Sequence, residues 1–183
     1  MFKKVGTRIS GVYVLRTEVF SDLRGQFIKT FHISDFENLG LNISVNEEYY
    51  SISQKRVLRG LHFQTPPADH EKVVYCSYGK VMDVVVDIRK GSPAYGMHEV
   101  FELSSDNGEM LFIPKGCAHG FYVLSDIAVM MYKVSSVYSS ENDTGILWNS
   151  VGIDWPDENP IISARDNSFV KFKDYNSPFY YKR

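Results

Sequence analysis

The sequence predicts an all-β protein, an antiparallel sandwich or barrel. Short extended segments separated by turn residues follow one another along the chain, with no long helical period between them. Aromatic residues make up 14% of the chain, which favours strands because aromatic side chains pack well on a pleated sheet. A chain of 183 residues suffices for one domain with a substantial core, so we expect a single domain over residues 1–183.

The predicted elements are mostly strands. These cover residues 12–15, 26–32, 49–53, 57–64, 73–78, 81–89, 99–103, 110–113, 120–124 and 128–134. One short helix is predicted over residues 33–40, where Ser34 can cap, Glu37 follows three residues later and Gly40 ends the helix. From residue 149 the chain is richer in Pro, Asn and Asp, which indicates an irregular C-terminal tail packed on the β structure.

Charge and hydropathy exclude several classes of protein. The net charge of -2 gives no overall field that would attract nucleic acid or an anionic membrane surface. Apolar runs such as 84–86 are too short to span a bilayer, and the basic N-terminus lacks the apolar core of a signal peptide. Cys76 and Cys117 are expected to be small buried hydrophobes. The sequence therefore predicts a cytoplasmic protein.

The segment 57–64 and the nearby Lys72 form the most informative cluster. Arg59 and His62 lie in an otherwise apolar strand, and we expect Lys72 on the adjoining strand. Three basic groups cannot all be buried without anions to meet them, so the cluster predicts a site that binds an anion and can move a proton. The segment 113–121 is expected to form the other wall of the same pocket.

Three other residue types have both a structural and a chemical interpretation. Tyr132 and Tyr138 are either aromatic walls or acids facing a carbanion. Asp166 is either a turn residue or a carboxylate that orients His62. Arg24 is either an exposed turn cation or a second phosphate ligand.

A metal site is the alternative use of the histidines. His62, Gln64, Glu71 and His119 have a spacing similar to that of a cupin metal site. However, Gln64 stands where a second histidine would be needed, and the charge of Lys72 would oppose a cation. We therefore expect no metal.

The motifs, in order along the chain, resemble a known family, the dTDP-4-dehydrorhamnose 3,5-epimerases (RmlC-like). The motifs are in residues 20–27, 57–64 with Lys72, 83–89, 113–121, 132–133, 148–149, 152–156 and 165–166. This resemblance covers nearly the whole chain. It implies a cupin-type jelly roll (double-stranded β-helix) that acts on nucleotide-linked 4-keto sugars in surface polysaccharide biosynthesis.

The resemblance also implies a role for each catalytic residue. His62 would be the general base and Asp166 its partner. Lys72 would stabilise the enolate that forms next to the C4 ketone, and Tyr132 would return a proton on the opposite face. This chemistry suits the residue types and needs no cofactor.

The same resemblance implies how the substrate binds. Residues expected to line the sugar and diphosphate are Ser51, Arg59, His119, Tyr138 and Arg165. Arg24 and Phe27 would reach the nucleotide across the interface of a homodimer with swapped N-terminal strands. The nucleotide-sugar is then the expected ligand, without nucleic acid or membrane partners.

Three positions depart from the family pattern. Lys29, Glu47 and Tyr49 stand near the expected nucleotide and sugar. A carboxylate can accept two hydrogen bonds from a guanine edge, so Glu47 suggests a GDP-linked 4-keto sugar, such as a heptose, as an alternative substrate. Inversion at C3 alone or at both C3 and C5 remains open, and so do a metal-dependent cupin and a non-catalytic sugar-nucleotide binder.

Overall fold

The fold is a sandwich of two antiparallel sheets with a separate hairpin, as seen in the computed structural model, which describes residues 2–182. The strands are β1 (Lys3–Gly6), β2 (Tyr13–Arg16), β3 (Val19–Asp22), β4 (Gly25–Ile28), β5 (Glu47–Gln54), β6 (Leu58–Gln64), β7 (Lys72–Tyr78), β8 (Lys80–Asp87), β9 (His98–Ser104), β10 (Glu109–Ile113), β11 (Cys117–Val123), β12 (Ile127–Val134) and β13 (Asp143–Gly145). The helices are α1 (Ile33–Asn38) and α2 (Ala164–Asn167), with a 3-10 turn at Phe172–Asp174. This architecture confirms the predicted all-β, cupin-type jelly roll.

Strand order brings distant parts of the chain together. The six-stranded sheet has the order β1-β2-β10-β7-β12-β5, and the five-stranded sheet has the order β13-β6-β11-β8-β9. Strands β3 and β4 pair only with each other. Neighbours within both large sheets are antiparallel. The strands β6 and β7, which follow each other in sequence, consequently lie in different sheets.

The main core lies between the two sheets, and both outer faces carry further apolar layers. Inward-facing residues of β8, such as Val81 and Val85, meet residues such as Val74 and Met130 from the other sheet. On the outer face of the five-stranded sheet, Val84 and Val86 are covered by Ile153 and Phe179 of the C-terminal part. Because both faces of β8 are covered, apolar side chains stand on both of them, and alternation alone does not distinguish the two faces.

The segment around α1 covers the outer face of the six-stranded sheet. Phe36 is fully buried there against residues such as Leu15 and Val73. The helix begins after His32 and has no side-chain cap, so the prediction that Ser34 caps it was wrong. The helix ends at Asn38 with Leu39 as its C-cap, and Gly40 follows with φ +71°, a conformation that favours glycine.

The region from residue 149 is mostly irregular and packs on the five-stranded sheet, as predicted. Isolated bridges connect it at Ile161 to Val57 and at Tyr180 to Lys90. The predicted strand at residues 26–32 is shorter than expected, since β4 ends at Ile28. Within residues 2–182, no helix is long and apolar enough to cross a membrane.

Candidate active site

A cavity of about 330 Å³ opens between the two sheets. Its walls come from β6, β11 and β13 on one side and β5, β7 and β12 on the other. The predicted site residues that line it are Glu47, Tyr49, Ser51, Arg59, His62, Lys72, His119, Tyr132, Tyr138 and Arg165. Residues separated by more than a hundred positions in sequence therefore meet around one cavity.

His62 is held by a carboxylate from the C-terminal part of the chain. Its Nε2 lies 2.9 Å from Asp166 Oδ1, and Asp166 Oδ2 accepts a hydrogen bond from the N–H of Gly60 at 3.0 Å. Ser163 caps α2 by accepting from the N–H of Asp166 at 3.0 Å, which fixes the turn that carries the carboxylate. Burial acts to raise the pKa of Asp166, but the contact with His62 and the bond from Gly60 outweigh it, and the pKa is lowered. Asp166 is therefore an anion in contact with the ring of His62.

Two glycines let the strands that carry His62 and His119 come close together. Gly60 has φ +132°, and a Cβ built there would lie 2.6 Å from Gly120 Cα. A Cβ at Gly120 would lie 2.7 Å from the carbonyl oxygen of Arg59. No side chain fits at either position without moving a strand, and this close approach sets His62 directly opposite His119 in the register.

Lys72 reaches the cavity from the sheet that faces His62. The prediction that it lies on the strand adjoining β6 was wrong, because the connection after β6 crosses to the six-stranded sheet. Its Nζ nevertheless donates to the carbonyl oxygen of His62 at 3.3 Å. Burial lowers the pKa of Lys72 to about 8, while the charges of Asp143 and Asp83 act to raise it. Lys72 is thus a buried ammonium group at neutral pH.

His119 forms a second histidine–carboxylate pair. Its Nε2 lies 2.8 and 3.0 Å from the two oxygens of Asp83, and the side chains are 4% and 0% exposed. The two acids of β8 are both fully buried. Asp83 contacts His119 beside the cavity, whereas Asp87 contacts Arg89, 2.7 Å away.

Tyr132 stands on the wall opposite His62. It stacks on Tyr49 with ring centroids 4.8 Å apart. Burial raises the pKa of Tyr132 far above its usual range, against a lowering effect of Ser51, and burial together with Glu47 raises the pKa of Tyr49 to about 12. Both phenols therefore keep their protons at neutral pH, so Tyr132 can act as a donor.

Two arginines line the cavity. Arg59 Nε donates to Ser53 Oγ at 2.9 Å, and Arg165 Nη2 donates to Asp143 Oδ2 at 2.6 Å. Each guanidinium has five N–H donors, so both retain donors that can meet a diphosphate.

Glu47 is already used within the chain. Its Oε2 accepts a hydrogen bond of 2.6 Å from the N–H of Tyr138. This bond commits one of its two carboxylate oxygens and ties β5 to the segment after β12. A guanine edge would need both carboxylate oxygens as acceptors, and one of them is already engaged.

Three residues predicted to bind the substrate, Arg24, Phe27 and Lys29, do not line this cavity in the single chain. Arg24 and Phe27 lie on the β3–β4 hairpin, where Arg24 pairs with Asp22 and Phe27 is 63% exposed. Lys29 follows the hairpin and is exposed. The hairpin has a concave face of its own, lined by Phe20, Arg24 and Phe27 among others.

Sequence reasoning missed two ionisable residues of the cavity, His70 and Asp143. Burial, with the charges of Lys72 and Lys115, lowers the pKa of His70 to about 3, so its ring is neutral. His70 could have been found from its position two residues before Lys72. Asp143 had no such signal, because only the pairing of β13 with β6 brings it to the cavity.

The metal arrangement considered from the sequence is not formed. Gln64 Nε2 donates to the carbonyl oxygen of Ala68 at 2.8 Å, and its Oε1 accepts from the N–H of Ser139 at 2.7 Å. Its side chain thus ties two loops together. Among residues 2–182, no three or more His, Cys, Asp or Glu residues are grouped in a way that could hold a metal ion.

Comparison with known proteins agrees with this geometry. The family model for dTDP-4-dehydrorhamnose 3,5-epimerase matches residues 6–174. The enzyme of that name from Escherichia coli K12 is 46% identical over 161 residues, covering 86% of this chain and 87% of its own length. The one from Shigella flexneri is 43% identical over 173 residues, covering 93% and 96%.

A solved structure extends the match to the whole fold. The epimerase RmlC from Legionella pneumophila, in complex with dTDP-4-keto-L-rhamnose, superposes with a TM-score of 0.95 at 34% identity. The superposition covers 100% of both chains. With a family model over most of the chain and close relatives over nearly all of it, this protein belongs to the dTDP-4-dehydrorhamnose 3,5-epimerase family.

Proposed function

We propose that this protein inverts C3 and C5 of a dTDP-linked 4-keto-6-deoxy sugar of the 4-dehydrorhamnose type. The observation that carries the proposal is the arrangement of groups around one cavity. His62 with its Asp166 lies on one wall, Tyr132 lies on the opposite wall, and Lys72 is placed near His62. Inversion needs a base and an acid on opposite faces of the sugar ring, and this geometry supplies both.

In the proposed reaction, His62 removes the proton from the sugar carbon. The C4 ketone makes the C3 and C5 hydrogens acidic because the resulting carbanion is stabilised as an enolate. The negative charge of Asp166 favours a proton on the His62 nitrogen that faces it, which leaves the second nitrogen of His62 without a proton and basic. The ammonium group of Lys72 stabilises the developing enolate oxygen in a site where the surrounding protein makes charge interactions strong.

Tyr132 returns a proton from the other side. Its phenol keeps its proton at neutral pH and donates it only to a strong base, such as the carbon of the enolate. The groups that perform the reaction all belong to side chains of this protein, so we propose a cofactor-independent isomerase.

The nucleotide is proposed to be dTDP. The solved relative binds dTDP-4-keto-L-rhamnose, and nothing found in the comparisons favours the GDP alternative. Glu47, on which that alternative rested, is engaged by the N–H of Tyr138. Calorimetric titration with dTDP and GDP tests this: we expect tighter binding of dTDP, and equal or tighter binding of GDP would restore the guanine hypothesis.

Solvent exchange tests the reaction. With the dTDP-linked 4-keto sugar in heavy water, we expect deuterium at both C3 and C5, and incorporation at C3 alone would limit the enzyme to one centre. His62→Ala should abolish exchange at both carbons while dTDP still binds. His98→Ala, which changes a histidine of β9 remote from the cavity lining, is the control and should exchange at the normal rate. Normal exchange in His62→Ala would exclude His62 as the base.

We further propose that the protein is a homodimer with swapped N-terminal strands, in which Arg24 and Phe27 reach the nucleotide in the partner's cavity. The exposed hairpin supports this, because Phe20 is 58% and Phe27 63% exposed on an element that, within residues 2–182, is hydrogen-bonded into neither large sheet. Apolar residues such as Tyr50 and Ile52 are also exposed on β5, an edge strand. Exposed apolar surface of this kind is typical of an interface.

The setting of the reaction follows from the substrate. We propose a single catalytic domain over residues 1–183 that works in the cytoplasm, without nucleic acid or membrane partners. Its product would be a precursor sugar for a surface polysaccharide such as capsule or lipopolysaccharide.

A further inference from the structure

Asp143 is a half-buried carboxylate at the cavity for which the reaction above has no role. It begins β13, the edge strand of the five-stranded sheet, with its Cα opposite that of Gln64 in β6. Its side chain is 17% exposed and lines the cavity. A carboxylate kept from water in a site that binds a diphosphate would repel the ligand, so its presence requires an explanation.

Asp143 is connected to the base through α2. Its Oδ2 accepts from Arg165 Nη2 at 2.6 Å, and Arg165 is the neighbour in sequence of Asp166, which contacts His62. Arg165 also lies over the ring of Phe169, 5.2 Å from its centroid. Since α2 has only four residues, this ion pair is one of few contacts that can hold the turn against β13 and β6.

Asp143 and Lys72 line the same cavity from opposite sheets. The groups whose charge acts on Lys72 are Asp143 on β13, Asp83 on β8 and Cys117 on β11, and Lys72 in turn acts on His70, on the loop before β7. Burial lowers the pKa of Lys72, and Asp143 is the strongest of the groups that act to raise it.

The other groups contribute less to keeping Lys72 charged. Asp83 is occupied by His119 at 2.8 Å. Cys117 is a neutral thiol, since burial raises its pKa to about 12, and His70 is neutral as well. Arg165, the partner of Asp143, is 48% exposed, so water screens its charge while the carboxylate faces inward.

We propose that Asp143 is a positioning residue for both halves of the reaction: it keeps Lys72 in the charged form that stabilises the enolate, and through Arg165 it holds the turn that carries Asp166. The inference rests on the proposed function for the enolate, but its electrostatic part concerns only Lys72 and Asp143. One carboxylate thereby links the cation on one sheet to the base on the other.

The first test is a titration that does not depend on activity. Lysine labelled with ¹³C at Cε reports protonation by NMR, and the Lys72 signal is the one missing from Lys72→Met. In the wild type we expect a midpoint near pH 8. In Asp143→Asn the midpoint should fall by about one unit, the shift expected on loss of one nearby opposite charge. An unchanged midpoint would overturn the electrostatic role.

The second test is the dependence of exchange on pH. If the midpoint falls by about one unit, Asp143→Asn should lose about fivefold more of its rate relative to the wild type at pH 8 than at pH 6. Asp143→Glu keeps the charge and should restore the wild-type alkaline limb. A loss that is the same at every pH would show a merely structural role for Asp143.

Arg165→Gln separates the two connections. It removes the ion pair but keeps the carboxylate, so the Lys72 midpoint should not fall, while exchange should slow at every pH because Asp166 is less well held. A fall of the midpoint in Arg165→Gln would overturn the assignment of the charge effect to Asp143. If the wild type itself shows no exchange, the proposed function fails, and the NMR titration still decides the effect of Asp143 on Lys72.

Discussion

Two histidine–carboxylate pairs lie beside each other at the cavity, with their histidines on the neighbouring strands β6 and β11. The two pairs differ in how far they are buried. His119 and Asp83 are almost completely inaccessible, whereas the side chain of His62 is 29% exposed and lines the cavity. A base must release its proton to solvent or substrate after each turnover. His62 can do so, while His119 is held by both oxygens of its carboxylate. This difference in exposure supports the proposal that His62 transfers the proton and that His119 positions the ligand.

Asp166 should matter for rate more than for binding. Asp166→Asn keeps the shape of the side chain but removes the negative charge that orients His62, so exchange at C3 and C5 should slow by about 10²-fold or more. Deuterium uptake and dTDP titration measure the two effects separately. Asp126→Asn removes an exposed carboxylate paired with Lys55 and serves as the control. An equal loss in both variants would contradict the role of Asp166.

His70 should make the protein less stable in acid. Its pKa is lowered from 6.5 to about 3 in the folded state, so between these values the unfolded chain binds a proton that the folded chain does not. Stability then falls as the pH drops below about 6.5. His70→Gln can still bond to Ser136 without this penalty. The melting temperature of the variant minus that of the wild type should therefore be larger at pH 5 than at pH 8. Calorimetry at both values measures it, and an equal difference at the two pH values would contradict it.

At the scale of elements, the close pairing of β6 with β11 determines where His62 and His119 lie. A Cβ at Gly120 would lie 2.7 Å from the Arg59 carbonyl oxygen and 2.8 Å from Leu61 Cδ2. Gly120→Ala must push the strands apart, so we expect the free energy of unfolding to fall by about 1–3 kcal/mol. Gly6→Ala is the matched strand control, since no atom lies within 4 Å of its added Cβ, and it should change stability by less than about 0.5 kcal/mol. Denaturant unfolding measures both, and equal effects would contradict the crowding at Gly120.

Strands that are long and covered on at least one face could be predicted from the sequence. β8, β11 and β12 are of this kind, because burial imposes apolar side chains on them. β1 and β13 could not be predicted, because β1 is exposed along its length and β13 has only three residues. Their pairing is decided by contacts with distant strands, which leave no local pattern.

The same reason explains which site residues were found. Arg59 and His62 lie in one motif and were found together, although a spacing of three puts side chains on opposite faces of a regular strand. A register shift between β6 and β11 separates the two positions, and both side chains line the cavity. Lys72 lines the cavity but was placed on the wrong sheet, because strand order is a property of the whole fold. Asp143 was missed, since nothing near it in sequence indicates that β13 joins the sheet beside β6.

At the scale of the whole molecule, the cavity and the hairpin are separate parts of one chain. The cavity holds the groups proposed for proton transfer, whereas Arg24 and Phe27 lie outside it. If the proposed swapped dimer forms, each complete site takes its cavity from one subunit and its hairpin from the other. Mutations in the two parts should then complement each other.

This complementation gives a direct test of the dimer. Arg24→Ala and His62→Ala should each lower exchange when expressed alone, the first through nucleotide binding and the second through loss of the base. Co-expression gives mixed dimers, in which one site joins an intact hairpin to an intact cavity and the other site has both defects. Random pairing then restores about a quarter of the wild-type sites. If each hairpin served its own cavity, every site in the mixed dimer would carry one defect, and co-expression would restore nothing.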